Sequence, residues 1–235
     1  MHEGIRIEDT SLTLGATRFA FDCTIERGRI TAIAGPSGAG KSTLLNLIAG
    51  FEVAHAGRIF IAGNECTGTH PSERPVSVVF QDHNLFAHLD VFTNVALGIN
   101  PAMRLPAEDR QRVEQALARV SLAGFSKRMP GSLSGGEKQR AAFARALVRR
   151  KPVLLLDEPF ASLDADLRLR MTDLLRELHE ETGNTVVIVT HDRSEIERLA
   201  DDVVLVEHGH VAAHLRCADY LARFGADGAS AANAS

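Results

Sequence analysis

The chain has 235 residues, 45% of them hydrophobic, enough to bury a core of its own, and a formal net charge of −4. Thirty acidic against 26 basic residues leave no basic excess for a nucleic-acid partner. Cys23, Cys66 and Cys217 are odd in number and widely spaced, which argues against a disulfide framework or zinc site; MHEGIRIEDT lacks the regions of a signal peptide, and the longest apolar runs, such as VLLL and TVVIV, fall well short of the ~20 residues of a membrane helix.

In chain order, Ile5–Glu8, Phe19–Ile25 and Arg58–Ile61 read as a small antiparallel sheet. Ile30–Ala34, Val76–Phe80, Val153–Leu156, Thr185–Thr190 and Val203–Val206 are short apolar runs separated by longer segments of helical periodicity. That alternation predicts a largely parallel sheet covered on both faces. Ser42–Ala49 predicts a helix stopped by Gly50. Between Asp82 and Arg150 the strand signals disappear, and Glu108–Val120 places Val113, Leu117 and Val120 on one helical face. Asp166–Glu181 does the same with Leu167, Met171, Leu174, Leu175 and Leu178. The expected organisation is one domain over residues 1–225, with a core of 1–81 and 151–225, a helical subdomain over about 82–150, and a small, polar tail at 226–235.

Gly35, Pro36, Ser37, Gly38, Ala39, Gly40, Lys41 and Ser42 fit the pattern G-x-x-x-x-G-K-[ST], with strand ITAIA before and helix STLLNLIA after, Thr43 being its next residue. Glycines let backbone N–H groups turn inward around phosphate oxygens, and the helix N-terminus adds partial positive charge. Lys41 is placed to reach the β- and γ-phosphates, and the Ser42 hydroxyl to ligate Mg²⁺. In Val153-Leu-Leu-Leu-Asp157-Glu158 an apolar strand ends in two carboxylates. Asp157 suits a Mg²⁺ ligand and Glu158 a general base toward water, although two acids at a strand end can equally cap a turn. Ligands of parallel sheets sit beyond the carboxyl ends of the strands. Gln81 and His191 follow two further strands, so they would join this edge, Gln81 near Mg²⁺ or water and His191 near the γ-phosphate. Each alone reads as an ordinary exposed polar residue.

Leu133-Ser134-Gly135-Gly136-Glu137-Lys138-Gln139-Arg140 places a good N-cap and two glycines before a helix, a second anion-binding element that is also compatible with a plain capped helix. LSGGEKQR shortly before VLLLDEP resembles the signature sequence of the ABC ATPases. The order is theirs too: P-loop at 35–43, Gln81, the signature, Asp157 with Glu158, Ser162-Leu163-Asp164, then His191. The resemblance covers roughly residues 4–222. It implies a P-loop NTPase fold, RecA-like, with a small antiparallel β subdomain and an inserted helical one. It also implies ATP and Mg²⁺ as cofactors and a head-to-tail homodimer in which Ser134–Gly136 of one copy face the other's ATP, with Asp164 nearby. Two departures stand out: Glu137 replaces the usual Gln, and the position that stacks on adenine falls near Leu14, with Phe19 the nearest aromatic. GPSGAGKSTLLNLIAGF and Arg74–Pro101 resemble the importer branch, above all the ATPase subunits of thiamine importers. That implies peripheral placement on the cytoplasmic face of a bacterial inner membrane, a membrane permease met by residues 82–100, and an indirect periplasmic binding-protein partner. An importer of another small cargo, such as ferric iron or sulfate, is the alternative.

Overall fold

The computed structural model describes residues 3–80 and 84–224. Ten strands hydrogen-bond into one sheet: β1 (Glu3–Leu14), β2 (Thr17–Glu26), β3 (Ile30–Ala34), β4 (Ala56–Ile61), β5 (Asn64–Glu65), β6 (Val76–Val79), β7 (Val153–Asp157), β8 (Thr185–Val189), β9 (Asp202–Glu207) and β10 (His210–Arg216). Their order is β5-β4-β1-β2-β10-β9-β3-β8-β7-β6. The pairs β6–β7, β7–β8, β8–β3 and β3–β9 are parallel, whereas β5, β4, β1 and β2 pair antiparallel. The small antiparallel sheet expected from the sequence is thus present. It is continuous with the parallel one through β10, which joins β2 at a single parallel pair, His210 with Ala20.

The apolar strands are buried on both faces, and the pleat divides their side chains between two cores. Ile30, Leu154, Leu156, Val186, Ile188 and Val203 face one side. There they pack under α2 (Val91–Ala96), α3 (Ala107–Arg119), α4 (Gly135–Val148), α5 (Ala165–Thr182) and α6 (Arg193–Leu199). Ile33, Val153, Leu155, Val187, Val189 and Val204 face the other, against α1 (Lys41–Ala49) and the antiparallel strands. A last helix, α7 (Cys217–Phe224), carries Tyr220 and Phe224 onto the first core. From residue 84 to 150 the described residues hold helices and turns only, including a 3₁₀ turn at Pro130–Ser132. No helix among the described residues is long and apolar enough to cross a membrane.

Candidate active site

Since β3, β7 and β8 are mutually parallel, the segments after them emerge at one edge of the sheet. After β3 the chain turns through residues 35–40 into α1. Gly35 has φ 143°, and a Cβ there would collide with the main-chain oxygen of Val206. Gly40 has φ 106° and its Cα faces the Phe19 ring, which a Cβ would meet at 2.8 Å. Gly40 caps α1 with no side-chain hydrogen bond, and the first turn holds no acid. The leading N–H groups of α1 therefore remain available to an anion. Pro36, Ser37 and Gly38 form the exposed lip of this loop, Ala39 is buried beneath it, and Thr43 lies in the first turn of α1.

Lys41 lies along the loop, its Nζ donating to the main-chain oxygens of Gly35 at 2.9 Å and Pro36 at 2.8 Å. Burial lowers its pKa, opposed by the charges of Glu158 and Asp157. Ser42 Oγ donates to Asp157 Oδ1 at 3.3 Å, which joins the P-loop to the end of β7. Burial raises the Asp157 pKa and the Glu158 charge adds to that, while the Ser42 hydrogen bond and Lys41 pull it down. An ammonium, a hydroxyl and a buried carboxylate therefore meet where the strand ends.

Glu158 sits at φ 45°, a left-handed conformation that is strained for a residue with a Cβ. Its N–H donates to Val189 O on β8 at 3.0 Å, and its Oε1 lies 3.4 Å from His191 Nδ1. The His191 side chain is 70% exposed, so its ring is open to a ligand at this edge. Behind Glu158 and His191 is a cavity of about 40 Å³ that Thr190, Asp192, Glu195 and Arg168 help to line. Thr190 Oγ1 donates to buried Glu195 Oε2 at 2.6 Å, and Arg168 Nη1 donates to Asp192 Oδ2 at 2.6 Å. These contacts hold the His191 segment from below. Gln81 lies outside the described residues.

The start of α4 is capped as the sequence predicts. Ser134 Oγ accepts from Glu137 N at 3.3 Å, and Glu137 Oε2 accepts from Ser134 N at 2.7 Å, a reciprocal capping box. Carboxylate and carboxamide both fill this role, so Glu137 in place of the usual Gln preserves the cap. Gly136 packs against Leu163 and Ser162, not against residues 35–43. Asp164 caps α5, accepting from Leu167 N at 2.9 Å, and is exposed. Leu14 is 38% exposed, while Phe19 is buried against Gly40 and supports the loop instead of facing a base.

Sequence reasoning assigned no role to Gln139. It is 2% exposed on the inner face of α4 and contacts both Glu158 and Ser162. The available signal was its spacing: a lone polar residue on a helical face shared with Ala142, Phe143 and Ala146.

A glycine loop entering a helix, a lysine along it and a strand-end carboxylate bonded to the loop's serine define a P-loop nucleotide-binding ATPase. A family model described as ABC transporter matches residues 20–161. The chain is 53% identical over 219 residues to the thiamine import ATP-binding protein ThiQ of Rhizobium meliloti (strain 1021), covering 93% of this chain and 92% of that one. It is 52% identical over 221 residues to the protein of that name from Brucella suis biovar 1, covering 94% and 92%. Among solved structures, the ATP-binding cassette MJ0796, in a dimeric post-hydrolysis state bound to ADP and Pi, superposes with a TM-score of 0.82 at 30% identity, over 91% of this chain and 98% of that one. The chain belongs to the ABC transporter family, as an ATP-binding and ATP-hydrolysing subunit.

Proposed function

We propose that this chain powers the uptake of thiamine and its phosphates through a separate membrane permease. The observation that carries the cargo is the identity of about half of all residues, over more than nine-tenths of the chain, to proteins named for thiamine import. Those names favour thiamine over ferric iron or sulfate. The subunit acts as a homodimer held peripherally on the cytoplasmic face of the inner membrane. Residues 82–100, with exposed Phe86, receive the permease, and a periplasmic binding protein delivers the cargo on the far side.

The chemistry follows from the site. N–H groups of residues 35–43 cradle the phosphates, and Lys41 exchanges the carbonyls of Gly35 and Pro36 for phosphate oxygens. The Ser42 hydroxyl and the Asp157 carboxylate fit Mg²⁺. They are hard oxygen donors already 3.3 Å apart. Gln81 is assigned to the same cation. When bound, that cation neutralises charge on the phosphate oxygens. Glu158 accepts a proton from the attacking water, and His191 beside it contacts the γ-phosphate. Ser134, Gly135 and Gly136, with Asp164, face the nucleotide of the partner copy.

The test is uptake of labelled thiamine in cells lacking this chain and any second thiamine importer. Wild type restores uptake and Glu158→Gln does not. If deletion leaves uptake unchanged, the cargo assignment fails while the ATPase stands.

A further inference from the structure

Gln139 belongs to α4 and is one helical turn beyond Gly135, yet both partners of its side chain lie outside that helix. Its Nε2 donates to the main-chain oxygen of Glu158 at 3.1 Å, and its Oε1 accepts from Ser162 Oγ at 2.5 Å. The orientation of the amide is dictated chemically: a carbonyl only accepts, so nitrogen must face Glu158, whereas the hydroxyl suits either end. Glu158 is thereby held at both peptide groups, by β8 through its N–H and, through its C=O, by Gln139 together with the Ala161 N–H at 3.3 Å, Gln139 being the donor that comes from α4. This clamp sits at the residue whose left-handed φ of 45° needs outside support. It fixes the direction in which the carboxylate leaves the chain, toward His191.

We propose that Gln139 is a positioning residue that couples the signature helix to the base of its own subunit. The N-terminus of α4 meets the partner copy's nucleotide, and Gln139 ties that helix rigidly to Glu158 and to Ser162. Engagement of one nucleotide by Ser134–Gly136 thus bears on the orientation of the base that acts on the other. This coupling rests on the assignment of Glu158 as base and on the head-to-tail dimer.

The experiment measures ATP turnover of the full chain against ATP concentration, together with equilibrium binding of a non-hydrolysable ATP analogue. Gln139→Met keeps length and apolar volume but removes the donor. It should lower kcat roughly 10–100-fold, as a misplaced catalytic group does, with analogue affinity within about twofold of wild type. Gln139→Glu should be similarly impaired at neutral pH. Relative to wild type it should recover as pH falls, because a protonated carboxyl regains the donor to Glu158 O; a residue that merely packs would show no such profile. Ser162 is exposed, so Ser162→Ala leaves packing intact. It should lower kcat a few-fold, be rescued by Ser162→Thr, and add nothing to Gln139→Met. If Gln139→Met fails to fold, the Ser162 variants and the Gln139→Glu profile carry the test. Turnover of Gln139→Met within about twofold of wild type, or independent effects of the two substitutions, overturns the coupling. Glu158→Gln, assayed alongside, separates the failures: if it turns over normally the base assignment is wrong, and if only it is impaired the coupling is wrong.

Discussion

In the proposed mechanism Glu158 serves the attacking water and Lys41 the phosphates, so their substitutions should separate. Glu158→Gln preserves shape and the backbone contacts to Val189 and Gln139 but cannot take a proton from water. Turnover should fall by about 10²–10⁴, the usual contribution of a positioned base, while ATP affinity is retained. Phosphate release in a single turnover, beside equilibrium nucleotide binding, checks this; undiminished release would remove Glu158 from the role. Lys41→Ala should instead weaken binding itself. Its Nζ donates to the carbonyls of Gly35 and Pro36, so the substitution removes two contacts within the loop together with the positive charge toward phosphate. An affinity loss of at least roughly tenfold is expected by titration, in keeping with loss of a charge-assisted hydrogen bond. The placement of these residues at one edge of the sheet was legible in the sequence because each follows an apolar strand in the pattern that phosphate and water chemistry would need. Two features were not legible: the left-handed φ of Glu158, and Gln139, whose partners are brought to it only by tertiary packing.

Helix α4 shows how a carboxylate in the signature adds pH dependence. The N–H of Ser134 donates to Glu137, which is the main reason its pKa lies below the ordinary carboxylate value. A depressed folded pKa means that the cap's contribution is fully present above the unfolded value and is lost as pH falls through the folded one. Amide exchange at the start of α4 should therefore be protected at neutral pH and lose protection in acid. In Glu137→Gln that acid sensitivity should disappear. Helix α1 depends on a different device at its far end. Arg74 is 1% exposed, and its Nη1 donates to Leu47 O and Ile48 O, both at 2.8 Å, while Nε and Nη2 reach Thr69 O and Thr67 O. Four carbonyls, those of Leu47 and Ile48 in buried contacts, share this guanidinium with no carboxylate among its partners in the described residues, and burial lowers its pKa. Arg74→Met would strip them of a donor and should cost roughly 2–5 kcal/mol in urea unfolding. It should also weaken nucleotide binding, since α1 carries the phosphate loop at its other end. The sequence located α1 and its Gly50 stop because both are local signals. It gave no sign of Arg74 beneath the helix, nor of β10, whose alternating exposed and half-buried residues lack the apolar run of its neighbours.

At the scale of the molecule, the parallel topology gathers the ends of β3, β7 and β8 at one edge but leaves the signature turn against Ser162 and Leu163 of its own chain. On the proposed mechanism a single copy presents two half-sites: a phosphate loop with Glu158 as base, and a capped helix start with two glycines. Two copies arranged head to tail satisfy both halves twice, which is the closure an isologous dimer provides. The ligand between them is a polyanion, so closure depends on the sign of charge at the second half-site. Ser134 is exposed, and Ser134→Glu places a carboxylate where phosphate oxygens must approach. Each copy should still bind ATP, within about twofold of wild type, because residues 35–43 are untouched. The dimer should not close, since a like charge repels the polyanion at short range. Light scattering in ATP, on Glu158→Gln with and without Ser134→Glu, tests this directly. The single variant should accumulate as a dimer and the double variant remain monomeric. A double variant that still dimerises with ATP, or wild-type turnover per subunit that does not rise with protein concentration, would show that the signature turn is not completing a partner's site.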